Sequence, residues 1–307
     1  MSRVAVCSRS FSKNEVLRSE LLKRYPDVTF NDSGKSLADR ELIDFLRGHD
    51  KAIVALERID ENILSQLPDL KVISKYGVGL DMLDIQAMRQ HGKFLGWIPG
   101  VNRRSVAELV IAFSIMLLRH IRSANEDVLH GNWRQFIGSQ LTGKTFGIIG
   151  CGHVGKELAS LLKVFNCQIL AHDILINQPI FDAMGIQSVE LETLLKKSDL
   201  ISIHTPYDET TSNMLNEARM ILMKKNFILI NTARGGIVDE KALKKILIER
   251  PLASAAFDVF TQEPPLDAEL LRLSNFFVTP HIGGSSYEAI LAMGRAAIIG
   301  LDKNKLP

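Results

Sequence analysis

The sequence is poor in cysteine, and what it has is not arranged for chemistry. Cys7, Cys151 and Cys167 are its three cysteines, and no two stand in a CxxC pair. Neither a zinc site nor a disulfide framework is expected, and the three read as reduced, mostly buried thiols of a cytoplasmic protein. Long apolar runs are missing too. The most apolar stretch, LVIAFSIMLL at 109–118, lies between Glu108 and Arg119. That is too short to span a bilayer and reads as a buried helix. The N-terminus, MSRVAVCSRSFSKNEVL, has neither an apolar h-region nor a small-residue cleavage site. Neither sign of charge dominates: 37 Lys and Arg stand against 35 Asp and Glu, a net of +2. With no long basic run, neither a nucleic-acid nor a membrane partner is implied. There is no low-complexity segment and no short-period repeat.

What is present suits an ordinary globular protein. A chain of 307 residues with 46% hydrophobic and 23% charged residues can bury one large core or two medium ones. Strand-like and helix-like patterns alternate. RVAVCS, VTFND, KAIVAL and KVISKYG read as strands, with amphipathic helices at NEVLRSELLKRY, LADRELIDFLRG and ENILSQL between them. After GWIPG comes a long helical segment beginning near Ser105, and from Thr145 the alternation resumes through FFVTP. Such βα repetition implies mostly parallel sheets with helices on both faces. The expected fold is α/β: two Rossmann-like, doubly wound parallel-sheet domains with a cleft between them.

The stretch TFGIIGCGHVGKELA contains Gly150-x-Gly152-x-x-Gly155. GxGxxG alone is a weak signal, but here a strand precedes it and an amphipathic helix follows, as a dinucleotide loop requires. Gly150 permits the tight turn, Gly152 admits a pyrophosphate, and Gly155 lets helix and strand pack closely. The helix N-terminus adds N–H groups and the positive end of its dipole. The next strand ends at Asp173, 18 residues after Gly155, where an acid can bind the adenosine ribose hydroxyls. A carboxylate there repels a 2′-phosphate, and Ile174 follows instead of an arginine, so NAD is favoured over NADP.

Three polar residues fall just past later strands: Arg234 in NTARGG after FILI, Glu263 after AAFDVFTQ, and His281 after FFVTP. Reacting groups collect outside the carboxyl ends of strands in such sheets. Each has a plain alternative: a surface arginine after a turn, a helix-cap acid beside Pro264 and Pro265, a satisfied core histidine. Together behind a nucleotide loop they suit hydride exchange with a 2-oxo acid. The arginine grips a carboxylate and polarises the carbonyl. The histidine moves the proton, and the glutamate orients it and favours its protonated form.

The motifs YGVGLDMLD (76–84), NRRSVAELVIA (102–112), GKTFGIIGCGHVGKELA (143–159), SDLISIHTPYDETT (198–211), FILINTARGGIVDEKAL (227–243), AAFDVFTQEPP (255–265) and TPHIGGSS (279–286) occur in order over nearly the whole chain. In them the sequence resembles the D-isomer-specific 2-hydroxyacid dehydrogenase family, in its phosphoglycerate dehydrogenase-like branch. The resemblance implies Arg234, Glu263 and His281 as the catalytic set, with His281 as acid/base. It implies Lys75, Gly77, Val78 and Gly79, with Arg234, as substrate-binding. His153, Val154, Asp173, His204, Pro206, Thr210, Thr232, Ala233, Asp258 and Gly283 would line the NAD site beside the three loop glycines, with Asp258 near the nicotinamide carboxamide. It also implies a discontinuous substrate-binding domain, 1–100 and 285–307, around an NAD-binding domain, 101–284, and a homodimer. The helix at 105–121 offers one dimer surface. No feedback through an appended regulatory domain is expected.

The favoured activity is NAD-dependent oxidation of a D-2-hydroxy acid like 3-phosphoglycerate, or the reverse. Alternatives are a glyoxylate/hydroxypyruvate reductase, a phosphite-type dehydrogenase and, outside enzymes, an NAD-sensing corepressor-like protein. One departure weakens the phosphorylated substrate. Many phosphoglycerate dehydrogenases carry Val-Arg-Ser after the third strand, and here Val54-Ala55-Leu56-Glu57 stands there.

Overall fold

The computed structural model describes residues 2–307, and the chain divides into two compact units. Unit 1 comprises residues 1–102 and 287–307, and unit 2 residues 103–286. In unit 1 the order is β1 (Arg3–Val6), α1 (Arg9–Lys13), α2 (Glu15–Leu22), β2 (Asp27–Phe30), α3 (Asp39–Leu46), β3 (Lys51–Val54), α4 (Glu61–Ser65), β4 (Val72–Lys75), α5 (Ile85–Gln90) and β5 (Phe94–Gly96). Unit 2 runs α6 (Arg103–Leu118), α7 (Ile121–Leu129), β6 (Thr145–Ile149), α8 (His153–Leu162), β7 (Gln168–His172), α9 (Gln178–Met184), β8 (Ile186–Ser188), α10 (Leu191–Lys197), β9 (Leu200–Ile203), α11 (Glu217–Ile221), β10 (Ile228–Asn231), α12 (Glu240–Glu249), β11 (Ser254–Phe257), α13 (Ala268–Arg272) and β12 (Phe276–Val278). The last helix, α14 (Tyr287–Gly300), belongs to unit 1.

Every strand pair is parallel. The five-stranded sheet has the order β2-β1-β3-β4-β5, and the seven-stranded sheet β12-β11-β10-β9-β6-β7-β8. Both are doubly wound, so each has one place where the strand order reverses: between β1 and β3, and between β6 and β9. Central strands such as β4, β9 and β10 are buried along their whole length. That is why they read as mostly apolar stretches and not as alternating ones. Leu194, Leu229 and Phe257 pack on one face of the larger sheet, and Phe146, Leu158 and Ile230 on the other. Each such fully buried side chain contributes roughly 1.5–3 kcal/mol relative to exposure.

Helix starts are written locally. Asn14, Asp60, Asp84, Asn216, Asp239 and Asp267 each cap the helix that follows through a side-chain oxygen. The long helix expected from Ser105 begins at Arg103 and breaks at His120, whose φ of 53° is left-handed. Helix α14 returns to the first sheet because small residues let it approach. A Cβ on Gly300 would sit 2.3 Å from Ser74 Oγ in β4, and Ser74 Oγ donates to the Ala297 carbonyl at 2.6 Å.

Candidate functional site

The glycine loop lies at the reversal point of the larger sheet. Gly150 has a φ of +88°, and a Cβ there would lie 2.7 Å from the His204 carbonyl carbon at the end of β9. A Cβ on Gly155 would meet the Gly150 carbonyl oxygen at 2.4 Å, whereas one on Gly152 would meet nothing within 4 Å. The loop is therefore tight where strand and helix meet and open where a ligand backbone can approach. Among the described residues no side chain caps α8, and at its start Gly152 and His153 are exposed and Val154 half-buried. Asp173 follows β7, and its carboxylate accepts from Cys151 N–H at 2.6 Å and Leu175 N–H at 2.8 Å. Two lone pairs remain for ribose hydroxyls. Burial, and then the Asp173 charge, pushes the Cys151 thiol up to about 11, so it stays protonated.

The far side of this loop is formed by the ends of β9 and β10. Burial lowers the His204 pKa to about 3, so the ring is neutral, with Nε2 2.9 Å from Ser202 Oγ. Pro206 and Thr210 sit on the exposed turn beyond it; Pro206 takes the Thr211 hydroxyl at 2.8 Å and Thr210 donates to Asp208 at 2.6 and 2.8 Å. Thr205 Oγ1 and Thr232 Oγ1 are buried without a hydrogen-bond partner among the described residues. An open glycine, an uncapped helix N-terminus and two orphaned hydroxyls fit a dinucleotide laid across these strand ends.

The NTARGG turn is clamped by its own first residue. Asn231, buried at the end of β10, accepts Ala233 N–H at 3.1 Å and donates to the Arg234 carbonyl at 2.9 Å. Gly235 then lies against the next strand's loop. A Cβ on it would fall 1.9 Å from the Phe260 carbonyl carbon. That contact sets the Arg234 turn beside the loop carrying Glu263. Glu263 Oε1 accepts Phe260 N–H at 3.1 Å, and its Oε2 lies 3.0 Å from His281 Nδ1. An ionised Glu263 needs the proton on Nδ1, which leaves Nε2 as the exchanging nitrogen. Both side chains remain accessible, His281 at 50% and Glu263 at 41%.

His281 is held in a left-handed backbone conformation, φ 55°, which costs a non-glycine residue about 1–2 kcal/mol. Asp258 supplies the compensation. Its carboxylate is 1% exposed and accepts Thr279 Oγ1 at 2.5 Å, Ile282 N–H at 2.7 Å and Gly283 N–H at 2.7 Å. Its carbonyl takes His281 N–H at 2.9 Å. The residue expected beside the nicotinamide is thus also the anchor of the histidine loop, and Oδ2, with one donor, keeps a lone pair open.

In unit 1 the end of β4 carries Lys75, and the segment after it Gly77, Val78 and Gly79. Lys75 is buried and donates to the Ala55 carbonyl. The N–H groups of residues 77–79 meet no acceptor among the described residues. Trp97 Nε1 holds the Val78 carbonyl at 3.0 Å. Arg103 and Arg104, at the start of α6, both pair with Glu157, at 3.1 and 2.7 Å, and so tie α6 to α8.

Residues 111–283 match the family model described as D-isomer specific 2-hydroxyacid dehydrogenase, NAD binding domain. The chain belongs to the D-isomer-specific 2-hydroxyacid dehydrogenase family. It is 34% identical over 282 residues to a D-3-phosphoglycerate dehydrogenase of Methanocaldococcus jannaschii, covering 91% of this chain and 54% of that one. It is 37% identical over 270 residues to a glyoxylate reductase of Thermococcus litoralis, covering 83% and 82%. It thus spans about half the length of the first relative. The structure of a D-lactate dehydrogenase from Aquifex aeolicus, complexed with NAD and lactic acid, superposes with a TM-score of 0.84 at 25% identity over 97% of this chain and 93% of that one.

Sequence reasoning in this 2-hydroxyacid dehydrogenase family member missed Asn231, although it opens the very motif that drew notice. An Asx residue ending a strand just before a turn is the available signal. The buried Glu57 was seen only as a departure from the family pattern, because burial is not written in one residue. Short elements were missed as well: α1, α5, α9, α13, β5 and β8.

Proposed function

We propose that this protein is an NAD-dependent oxidoreductase that interconverts a short D-2-hydroxy acid and its 2-oxo acid. One observation carries the reading. His281 Nδ1 lies 3.0 Å from Glu263 on a loop held by buried Asp258, while Gly235 packs the Arg234 turn against the strand loop bearing Glu263. Arg234 offers a planar pair of donors to the substrate carboxylate and draws electron density from the carbonyl oxygen. His281 Nε2 donates the proton that neutralises the alkoxide in reduction and removes the hydroxyl proton in oxidation. Glu263 keeps the imidazole in the tautomer that makes this exchange possible. Bound NAD(H) supplies or takes up the hydride. Gly150, Gly152, Gly155, His153, Val154, Asp173, His204, Pro206, Thr210, Thr232, Ala233, Asp258 and Gly283 are assigned to holding it.

Unit 1 contributes the substrate loop, in which the open N–H groups of Gly77, Val78 and Gly79 suit an anion. Unit 2 contributes the NAD-binding residues. A homodimer is part of the same proposal. Helix α7 buries none of its residues, and Leu129, Trp133 and Ile137 are 75%, 87% and 95% exposed. Exposed apolar side chains this large suit a partner, and a second copy supplies it. The test is NADH oxidation with glyoxylate, pyruvate, hydroxypyruvate and 3-phosphohydroxypyruvate. His281→Ala is expected to lower kcat by about 10²–10⁴-fold with little change in NADH affinity. Unchanged turnover in that variant would remove the assignment.

A further inference from the structure

The sheet of unit 1 reverses its strand order between β1 and β3. Sheets of this kind bind ligands in the crevice outside the carboxyl ends of the strands at that point. A cavity of about 290 Å³ lies there, walled by Ser8, Arg9 and Lys13 after β1, Ser36 after β2, and Leu56 and Glu57 after β3. Its two cations are exposed at the surface, whereas Glu57 is only 7% exposed. Glu57 Oε2 accepts the Ala55 N–H at 2.6 Å. Its other oxygen accepts no bond, and no cation pairs with it, among the described residues.

The backbone at Val54 and Ala55 joins Glu57 to the substrate loop. Lys75 Nζ donates to the Ala55 carbonyl, and Tyr76 N–H donates to the Val54 carbonyl at 2.8 Å. The buried carboxylate is therefore joined through the Val54–Ala55 backbone to the start of the loop assigned to the substrate. Charge then selects what a substrate carries beside it. A buried charge is little screened, while exposed Arg9 and Lys13 are screened by water and count for little. Glu57 opposes a phosphate. A neutral hydroxyl donor satisfies the open oxygen and meets no like charge.

We propose that Glu57 is a specificity-determining residue that accepts a hydrogen bond from a hydroxyl on the substrate's third carbon and turns away a phosphate at that position. The proposal rests on the 2-hydroxyacid dehydrogenase reading and narrows it toward hydroxypyruvate and glycerate, away from the phosphorylated acid that the sequence favoured. The experiment compares kcat/KM for hydroxypyruvate, pyruvate and 3-phosphohydroxypyruvate in the wild-type protein and in Glu57→Gln, with NADH binding by fluorescence as the check on folding. The wild type is expected to prefer hydroxypyruvate to each of the other two by about tenfold or more. Glu57→Gln, binding NADH as before, is expected to raise the ratio of phosphorylated to unphosphorylated substrate by roughly tenfold. A wild type that prefers 3-phosphohydroxypyruvate, or a ratio that Glu57→Gln leaves unmoved, overturns the role of Glu57 while the dehydrogenase reading stands. No turnover of any 2-oxo acid overturns both.

Discussion

Asp258→Asn replaces one carboxylate oxygen by an NH₂ group and removes the charge. In the native protein both oxygens are spoken for: Oδ1 takes Thr279 Oγ1 and Ile282 N–H, and Oδ2 takes Gly283 N–H. Whichever way the amide turns, its NH₂ faces a backbone N–H, donor against donor. One charge-assisted bond worth about 1.5–3 kcal/mol is lost, and the abandoned N–H, at a site only 1% exposed, adds about 1–3 kcal/mol. The nearest relief is local. The loop 279–283 opens, and His281 leaves its left-handed backbone conformation, recovering about 1–2 kcal/mol. A penalty on the closed loop of about 3 kcal/mol, the low end of these two losses, lowers the population of correctly placed His281 by about two powers of ten. The expected result is a kcat/KM about 100-fold lower, with faster amide hydrogen exchange at Ile282 and Gly283 and a modest fall in the urea midpoint. An Asp258→Asn variant with wild-type kcat/KM and unchanged exchange at those amides would refute the reasoning.

Two further outcomes follow from other parts of the molecule. Burial alone would raise the Asp199 pKa, but the Lys224 ammonium at 2.7 Å and the Thr145 N–H at 2.9 Å bring it below the usual carboxylate value. A lowered folded-state pKa contributes stability above the unfolded-state value, about 3.9 for Asp, and that contribution disappears as pH falls through the lowered one. Asp199→Asn is therefore expected to unfold more easily than wild type at pH 7, by at most about 1 kcal/mol after solvent screening, with the gap closing as pH falls through the lowered folded-state pKa; denaturant titrations across that range check it. Trp133→Glu, at a residue 87% exposed, is expected to convert the proposed dimer to monomer in sedimentation equilibrium while NADH binding persists, and a dimer of wild-type strength in that variant rejects the surface.

Much of the architecture was legible because its causes are local. Buried parallel strands show as apolar runs such as FILI and LISI, and Asx caps announce the helices after them. GxGxxG with a strand before it, a helix after it and Asp173 beyond is a sequence-local statement about a turn. Short elements such as α9 and β8 were not legible, since a few residues carry too little periodicity to stand out. The long helix from Ser105 and its shorter continuation before Gly131 were legible too; only the left-handed residue between them, His120, was not, since a single such residue leaves the apolar pattern unchanged.

The sequence alone determined the doubly wound character of both sheets, the nucleotide loop and the residue types available for hydride chemistry. Each of these is set by spacing along the chain. Only the tertiary structure decided which of those residues act through others. Asn231 fixes the Arg234 turn, Asp258 fixes the His281 loop, and the missing Cβ of Gly235 lets two strand loops close on each other. It likewise decided that Glu57 is a buried carboxylate facing a cavity and not a solvated acid. The physical reason is the same in each case. Burial and hydrogen-bond partnership depend on what the rest of the chain brings alongside, and those neighbours stand tens of residues away in sequence.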